Sequence, residues 1–452
     1  MLAGIRDTMN KGTAINIFTK YKEVIGWGLA NKALSMLIGF ISVSLINRLF
    51  GKELYGEMVF FQSVFAYLLI LATLGFDKTI LYKLSHYNET KSGLAGKSLV
   101  NYFQRYSFAL LAVIEFLFIG VWYLFINKDF VNEWFWILLF SLNAFLSVTS
   151  GLYSSYFKAN KYADTTVKIN VVNSIIKLFI LFVLYTLDFD SLLYFVFYII
   201  LPTTTSLLQF VWLDHRIKDD SSNINKPSKE ELSYSIKMML TKLVYQGVQK
   251  IDIVMIGILL SATFVAEYAV ASKLSLLARF GFTLISPLFG SRFKYSIESK
   301  NCDKMFKEYY YSRFFSVAIG FIFLLFFLLC GEQILSIFGD YKQSYSLLIL
   351  LSLAFLNHTF FAFSGSFLIF KGYASFTLIS MIIALFSILV SNYFLIPRFG
   401  PIGAACGTFS SLLLLNIILE IYIYKKENIR FNSFINYLGI LIFNVLIIGI
   451  FV

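Results

Sequence analysis

Apolar stretches of about 20 residues recur along the whole chain, and that length suits a helix crossing a bilayer. Backbone groups in lipid must be hydrogen-bonded within a helix or around a closed barrel, and the alternating strands of a barrel are not seen in the sequence. The pattern predicts an all-α integral membrane protein of about 12–14 transmembrane helices. We place thirteen spans at 24–47, 57–76, 106–126, 134–157, 165–187, 191–213, 234–260, 264–290, 312–338, 344–370, 373–396, 401–424 and 434–452.

A polar linker at 214–233 divides the predicted spans into two sets of six. It separates an N-terminal six-helix bundle at 1–213 from a C-terminal six-helix bundle at 234–424, and residues 425–452 form an extra C-terminal helix. An even number of spans in each half gives both halves the same orientation. We therefore expect the two bundles to be related by a pseudo-two-fold axis along the membrane normal.

Composition and charge agree with this class and set an orientation. Of the 452 residues 58% are hydrophobic and 14% charged, against about 25% charged in soluble proteins. With a cytoplasmic N-terminus, 27 Lys and Arg residues fall on the cytoplasmic side and 5 on the outer side. This follows the positive-inside rule. The net charge of +12 is thus explained by topology, and we expect no nucleic-acid partner.

Six basic residues interrupt the predicted spans, at a cost of about 2.5–3.5 kcal/mol for each one at the bilayer centre. They are Lys32, Lys177, Lys242, Lys250, Lys273 and Arg279. All except Lys273 lie on helix faces that also carry Ser, Asn, Gln or Gly. Snorkelling towards the interface suits Lys273 and is an alternative for Lys32 and Lys242. Lys177, Lys250 and Arg279 lie too deep for it and predict a lined cavity.

Only two acids, Glu115 and Asp252, are predicted at comparable depth. Either is a candidate for ion coupling or for pairing with a lysine, although Asp252, two residues from Lys250, points elsewhere on its helix. Even with both paired, positive charge remains in excess. The sequence therefore predicts a basic, hydroxyl-lined cleft between the two bundles, open to the cytoplasm, for a phosphate- or carboxylate-bearing cargo. The substrate-binding residues we predict are Lys32, Lys177, Lys242, Lys250 and Arg279.

The remaining segments carry little chemistry. Residues 291–312 mix Phe293, Ile297 and Met305 with charges, which predicts an amphipathic stretch along the inner membrane interface. Phosphate-binding glycine loops, zinc motifs and nucleophile elbows are not found, and the three cysteines lack metal-ligand spacing. We therefore predict no catalytic residues, no metal and no cofactor.

Three stretches resemble bacterial polysaccharide flippases, the Wzx-type O-antigen and capsule exporters of the multidrug/oligosaccharidyl-lipid/polysaccharide superfamily. The first is Arg48-Leu49-Phe50-Gly51-Lys52-Glu53-Leu54-Tyr55-Gly56 after the first span, followed by Leu74-Gly75-Phe76. The second is Lys250-Ile251-Asp252-Ile253-Val254-Met255-Ile256-Gly257, leading to Glu267-Tyr268-Ala269. The third is the turn around Pro397-Arg398-Phe399-Gly400-Pro401-Ile402-Gly403.

The resemblance implies two six-helix bundles in a V, as in multidrug (MATE-like) exporters, that alternate between inward- and outward-open states. It implies a cargo of undecaprenyl-pyrophosphate-linked oligosaccharide repeat units, the precursors of O-antigen, capsule or exopolysaccharide, moved across the bacterial cytoplasmic (inner) membrane. It further implies coupling to H⁺ or Na⁺ and partnership with polysaccharide polymerase and chain-length machinery. Such proteins commonly have twelve or fourteen spans, against the thirteen predicted here.

Two other functions compete with this one. A multidrug cation antiporter of the same fold would need acids for its cationic drugs, and the predicted spans hold six bases against two acids. A membrane glycan polymerase or ligase would need a substantial outer loop with catalytic residues, whereas the predicted outer loops are very short.

Overall fold

The computed structural model describes residues 12–90, 97–126, 130–160, 162–186, 191–216, 227–299, 302–431 and 434–451, and every regular element in them is helical. The α-helices in chain order are α1 Gly12–Thr73, α2 Phe76–Thr90, α3 Lys97–Val121, α4 Glu133–Ala159, α5 Ala163–Thr186, α6 Ser191–Arg216, α7 Lys229–Leu259, α8 Ala262–Ser275, α9 Phe280–Glu298, α10 Cys302–Ile337, α11 Tyr345–Phe370, α12 Ala374–Phe399, α13 Pro401–Glu427 and α14 Phe434–Phe451. A π-helix (Trp122–Ile126) follows α3, and 3₁₀ helices precede α9 (Leu276–Arg279) and α11 (Lys342–Ser344).

Each predicted span is helical along nearly all of its described residues, so the all-α membrane fold class is confirmed. The span 264–290 extends over α8, the 3₁₀ turn and the beginning of α9. The first two spans run together in α1, which is interrupted at Gly51 (φ 80°, ψ 175°). Glycine suits this position because a side chain would strain a positive φ. Within the described residues, ten helices are long and apolar enough to cross a membrane. The chain is therefore a multi-pass membrane protein.

Helix α7 is not among those ten, although it was predicted to span. It is 31 residues long, and its sequence carries Lys237, Lys242, Lys250 and Asp252. A helix this polar is stable within a bilayer only where other protein or water covers its polar face. The polar residues that lower the mean hydropathy of α7 therefore indicate that one of its faces contacts other protein or lines a water-filled cavity.

The position of residues 291–312 along the inner membrane interface stays a prediction. This stretch is shared between the end of α9 and the beginning of α10. Phe293, Ile297 and Met305 are buried and pack in one cluster with Phe367 of α11. Other helices therefore cover the apolar side chains of this amphipathic stretch.

The chain divides into two compact units. Unit 1 comprises Met1–Ser42, Ala72–Val113 and Ser141–Ile236. Unit 2 comprises Val43–Leu71, Ile114–Phe140 and Lys237–Val452. The division into sequential six-helix bundles at the 214–233 linker stays a prediction.

Two glycines let α10 pack against the irregular segment between α8 and α9. A Cβ on Gly320 would lie 2.3 Å from the carbonyl oxygen of Ala278, and a Cβ on Gly281 would lie 2.2 Å from that of Ser316. Backbones approach this closely in membrane bundles only at small residues. The contact holds the 3₁₀ turn Leu276–Arg279 against α10. This turn includes Arg279, one of the predicted substrate-binding residues.

Candidate functional site: two polar cavities

Unit 2 contains a cavity of about 240 Å³ lined by three cations. Lys250 comes from α7, Lys273 from α8 and Arg279 from the 3₁₀ turn that follows. The polar groups beside them are Tyr55, Gln62, Gln249 and Ser272. Among the described residues that line it there is no Asp or Glu. The cavity therefore combines concentrated positive charge with neutral hydrogen-bonding groups.

The 3₁₀ turn explains how Arg279 and Lys273 come to line the same cavity. An α-helix turns about 100° per residue and a 3₁₀ helix about 120°. Over the three steps from Leu276 to Arg279 the side chain therefore rotates about 60° further than in a regular helix. Lys273, Leu276 and Arg279 all face the cavity as a result. Lys273 therefore lines the cavity together with Arg279, and its snorkelling towards the interface stays an alternative.

Neither Lys250 nor Arg279 forms an ion pair with a carboxylate of the described chain. Arg279 instead lies beside the Tyr245 hydroxyl and His358. Ion pairs do occur elsewhere, as between Lys371 and Glu427 at 2.8 Å. Partly buried cations without a carboxylate partner attract an anion more strongly than exposed ones, because solvent screens them less.

Asp252 follows Lys250 by two residues but faces away from the cations, as its spacing predicts. Its carboxylate is buried (3% exposed) and accepts hydrogen bonds from Tyr268, Asn392 and Thr408, each at 2.6 Å. All three donors are neutral, so Asp252 does not neutralise the cavity. The arrangement gathers groups from α8, α12 and α13 around one carboxylate on α7.

Unit 1 contains a second cavity, of about 440 Å³, and it is lined differently. Side chains of α4, α5 and α6 contribute six hydroxyls and two amides. The hydroxyls belong to Ser147, Ser150, Ser154, Ser174, Thr203 and Ser206, and the amides to Asn170 and Asn173. Lys177 is the one charged residue among the described residues of this lining, and its Nζ lies 4.4 Å from the ring centroid of Tyr198.

The other predicted site residues have separate positions. Lys242 is partly buried two turns before Lys250 on α7 and lines neither cavity. Glu115 is buried on α3. Lys32 lies on α1, but its side chain falls outside the described part of the chain. The structure thus brings Lys250 and Arg279 together and places Lys177 in the other unit's cavity, so a single cleft that holds all five cations stays a prediction.

The sequence analysis did not include Lys273 among the predicted substrate-binding residues. It also did not identify two buried acids, Glu57 and Glu420. Glu57 accepts hydrogen bonds from the backbone N–H of Val131 (2.7 Å) and from Trp136 Nε1 (2.8 Å). Glu420 on α13 accepts one from Ser364. Both lie within about one turn of the end of a predicted span. Their depth could have been inferred only from the helices packed over them.

Solved structures of transporters share this fold. An inward-facing MATE-family multidrug transporter of the MOP superfamily matches with a TM-score of 0.70 and 14% identity, covering 87% of this chain and 96% of that one. The lipid II flippase MurJ, in an inward closed conformation, matches with a TM-score of 0.68 and 14% identity, covering 94% and 92%. A MOP-superfamily transporter from Pyrococcus furiosus, described as having a binding pocket of reverse polarity, matches with a TM-score of 0.61 and 16% identity, covering 88% and 92%.

At these identities the similarity establishes the fold of MOP-superfamily transporters and no more. Curated protein sequences give no significant match. The sequence itself matches the family described as polysaccharide biosynthesis protein over residues 23–290, which is more than half of its length. The chain therefore belongs to the polysaccharide biosynthesis protein family, with the fold of MOP-superfamily transporters.

Proposed function

We propose that this protein is a flippase that moves undecaprenyl-pyrophosphate-linked oligosaccharide repeat units from the inner to the outer leaflet of the bacterial cytoplasmic membrane. The observation that carries the proposal is the unit 2 cavity, where Lys250, Lys273 and Arg279 converge without a lining carboxylate. A pyrophosphate must have its charge compensated while it crosses a low-dielectric region. Three cations in one small cavity supply that compensation.

The chemistry of the three side chains suits a diphosphate. The planar guanidinium of Arg279 can hold two phosphate oxygens at once, whereas Lys250 and Lys273 act as compact point charges. The cavity volume of about 240 Å³ is below the ~300–1,000 Å³ of pockets for drug-sized ligands. It therefore suits a phosphate headgroup better than a whole oligosaccharide.

The relatives support the same class of function. The chain belongs to a polysaccharide biosynthesis family, and one protein with this fold is a lipid II flippase. The N-terminus is cytoplasmic in this proposal, as the distribution of Lys and Arg predicts. The lipid tail stays in the bilayer while alternating access moves the headgroup. Association with polysaccharide polymerase and chain-length machinery belongs to the same proposal.

Asp252 is the ion-coupling group that we favour, ahead of Glu115. A buried carboxylate in a membrane bundle is costly unless it serves binding or transport. Its neutral partners Tyr268, Asn392 and Thr408 leave it free to exchange a proton or to hold Na⁺. The buried Oδ1 of Asn392 also has no hydrogen-bond partner in the described chain, which provides a further oxygen near the carboxylate.

A multidrug cation antiporter remains the competing proposal, because MATE transporters share the fold. Its substrates are cations, which the Lys250, Lys273 and Arg279 charges would repel. The two functions differ in the sign of the transported charge.

Surface glycan export tests the proposal. We expect Arg279→Ala and Lys250→Ala each to abolish export while membrane insertion stays normal, because either change removes a cation from the phosphate site. Lys342→Ala, which alters a lysine of the short 3₁₀ helix before α11, serves as the matched control and retains export. Normal export by both cavity variants would refute the site, and resistance to cationic drugs conferred by the wild type would favour the antiporter.

A further inference from the structure

The unit 1 cavity is polar but nearly uncharged. Its six hydroxyls and two amides lie on three helices that are each long and apolar enough to cross a membrane. Helix packing through small residues would bring these faces into contact, but here they line an open cavity of about 440 Å³. Because hydrocarbon cannot satisfy hydroxyl and amide groups, water or a polar ligand must fill the space.

Part of the lining is held in a fixed arrangement. Asn173 is only 9% exposed; its Nδ2 donates to the Ser206 hydroxyl at 2.5 Å, and its Oδ1 accepts from Thr205 at 3.1 Å. Thr203 donates to the Asn143 Oδ1 at 2.8 Å. These bonds join α4, α5 and α6. Asn170, by contrast, keeps its side chain exposed, so the cavity presents free donors and acceptors on a rigid wall.

We infer that this cavity is a carbohydrate subsite that binds sugar rings of the transported lipid-linked glycan. Hydroxyls and amides each supply both donors and acceptors, which matches the hydroxyl groups of a sugar. The buried ring of Phe210 gives the wall one apolar surface. The volume lies in the ~300–1,000 Å³ range for drug-sized ligands, which accommodates one or two sugar rings.

A second phosphate site is a poorer fit for the same residues. Lys177 is the single cation of the described lining, and its Nζ faces the Tyr198 ring. One ammonium beside an aromatic ring does not offset the charge of a diphosphate, whereas it can pair with one acidic group on a sugar. The chemistry of the two linings thus assigns phosphate binding to the unit 2 cavity and sugar binding to the unit 1 cavity. This inference rests on the proposed flippase function.

Cysteine protection tests it in lipid nanodiscs. The background replaces Cys302, Cys330 and Cys406 by serine, and single variants carry Ser150→Cys in unit 1 or Ser272→Cys in unit 2. A charged methanethiosulfonate reagent labels each thiol. Two ligands are compared, undecaprenyl pyrophosphate and the lipid-linked oligosaccharide pool extracted from the source cells. If Ser150→Cys is poorly folded, the labelling rate is measured instead with Ser154→Cys, one helical turn further along α4.

We expect both ligands to slow labelling at Ser272→Cys about 5-fold or more, since both carry the diphosphate, and only the oligosaccharide pool to slow labelling at Ser150→Cys. The inference is overturned if the pool protects neither unit 1 cysteine, if bare undecaprenyl pyrophosphate protects them equally, or if the cavity cysteines do not react at all. Each of these results leaves the flippase standing so long as Ser272→Cys is protected. Absence of protection at Ser272→Cys counts instead against the proposed function.

Discussion

The two cavities of this protein differ in charge more than in size. The unit 2 cavity holds three cations, whereas the unit 1 cavity has one lysine among hydroxyls and amides. The unit 1 cavity lies on helices with the composition of membrane spans, whereas Lys250 of the unit 2 cavity lies on α7, which is more polar than those spans. Within a bilayer, charge is expensive and hydroxyls are less so. Three of the basic residues predicted within spans therefore line one cavity, which is expected where one part of a ligand carries most of its charge.

The cavities are also built differently. Arg279 lies on a 3₁₀ turn that packs against Gly320 of α10 through Ala278. The unit 1 lining lies on regular α-helices joined by hydrogen bonds such as that from Asn173 to Ser206. Mid-span 3₁₀ turns are common at functional hinges. The cationic wall is therefore the one shaped by irregular backbone.

Charge reversal should give the largest difference between the cavities. We expect Arg279→Glu to lower the initial flipping rate of lipid-linked oligosaccharide in proteoliposomes about 100-fold or more, since losing a buried charge partner costs roughly 2–5 kcal/mol. Lys177→Glu should lower it about 10-fold or less, because few charges of the substrate lie there. Equal losses, or a larger loss for Lys177→Glu, would remove the distinction between the cavities.

The second prediction concerns the carboxylate on the same helix as Lys250. We expect Asp252→Asn to abolish stimulation of flipping by a H⁺ or Na⁺ gradient while flipping without a gradient continues, because the cationic cavity remains intact. Asp340→Asn is the control, since that carboxylate is 88% exposed. The rate is measured with and without each gradient. Undiminished stimulation in Asp252→Asn would exclude this residue from coupling.

Conservative exchanges within unit 2 should give a smaller effect. Arg279→Lys keeps the charge but loses the two-pronged geometry, so we expect the flipping rate to fall about 10-fold. Lys250→Arg keeps both charge and donors and should change the rate less than about 3-fold. The same proteoliposome assay compares them. If the two variants behave alike, net charge alone accounts for the cavity.

The smallest effect is expected in unit 1. Ser150→Ala removes one neutral hydrogen bond, worth about 0.5–1.5 kcal/mol, and should raise the apparent KM for the lipid-linked oligosaccharide about 2–10-fold. Transport of undecaprenyl pyrophosphate without sugar should not change. A KM increase for both lipids would mean that Ser150 contributes to folding of the wall rather than to sugar binding.

The span pattern predicted the helices well because hydropathy depends only on local sequence. It also identified Lys250 and Arg279, since cations deep in a span are rare enough to stand out. It did not place Lys273 and Arg279 on one face, because the 3₁₀ turn shifts the helical phase between them, which a fixed 3.6-residue period does not detect. The partners of Asp252 were not predicted either, because Asn392 and Thr408 lie 140 and 156 residues away in sequence.

The central claim is that the unit 2 cavity holds a diphosphate. An electron cryomicroscopy structure of the protein with undecaprenyl pyrophosphate measures this directly. We expect phosphate density in contact with the Arg279 guanidinium and with the ammonium groups of Lys250 and Lys273. Density for the diphosphate away from all three side chains, with the cavity filled by water or acyl chain, would contradict it.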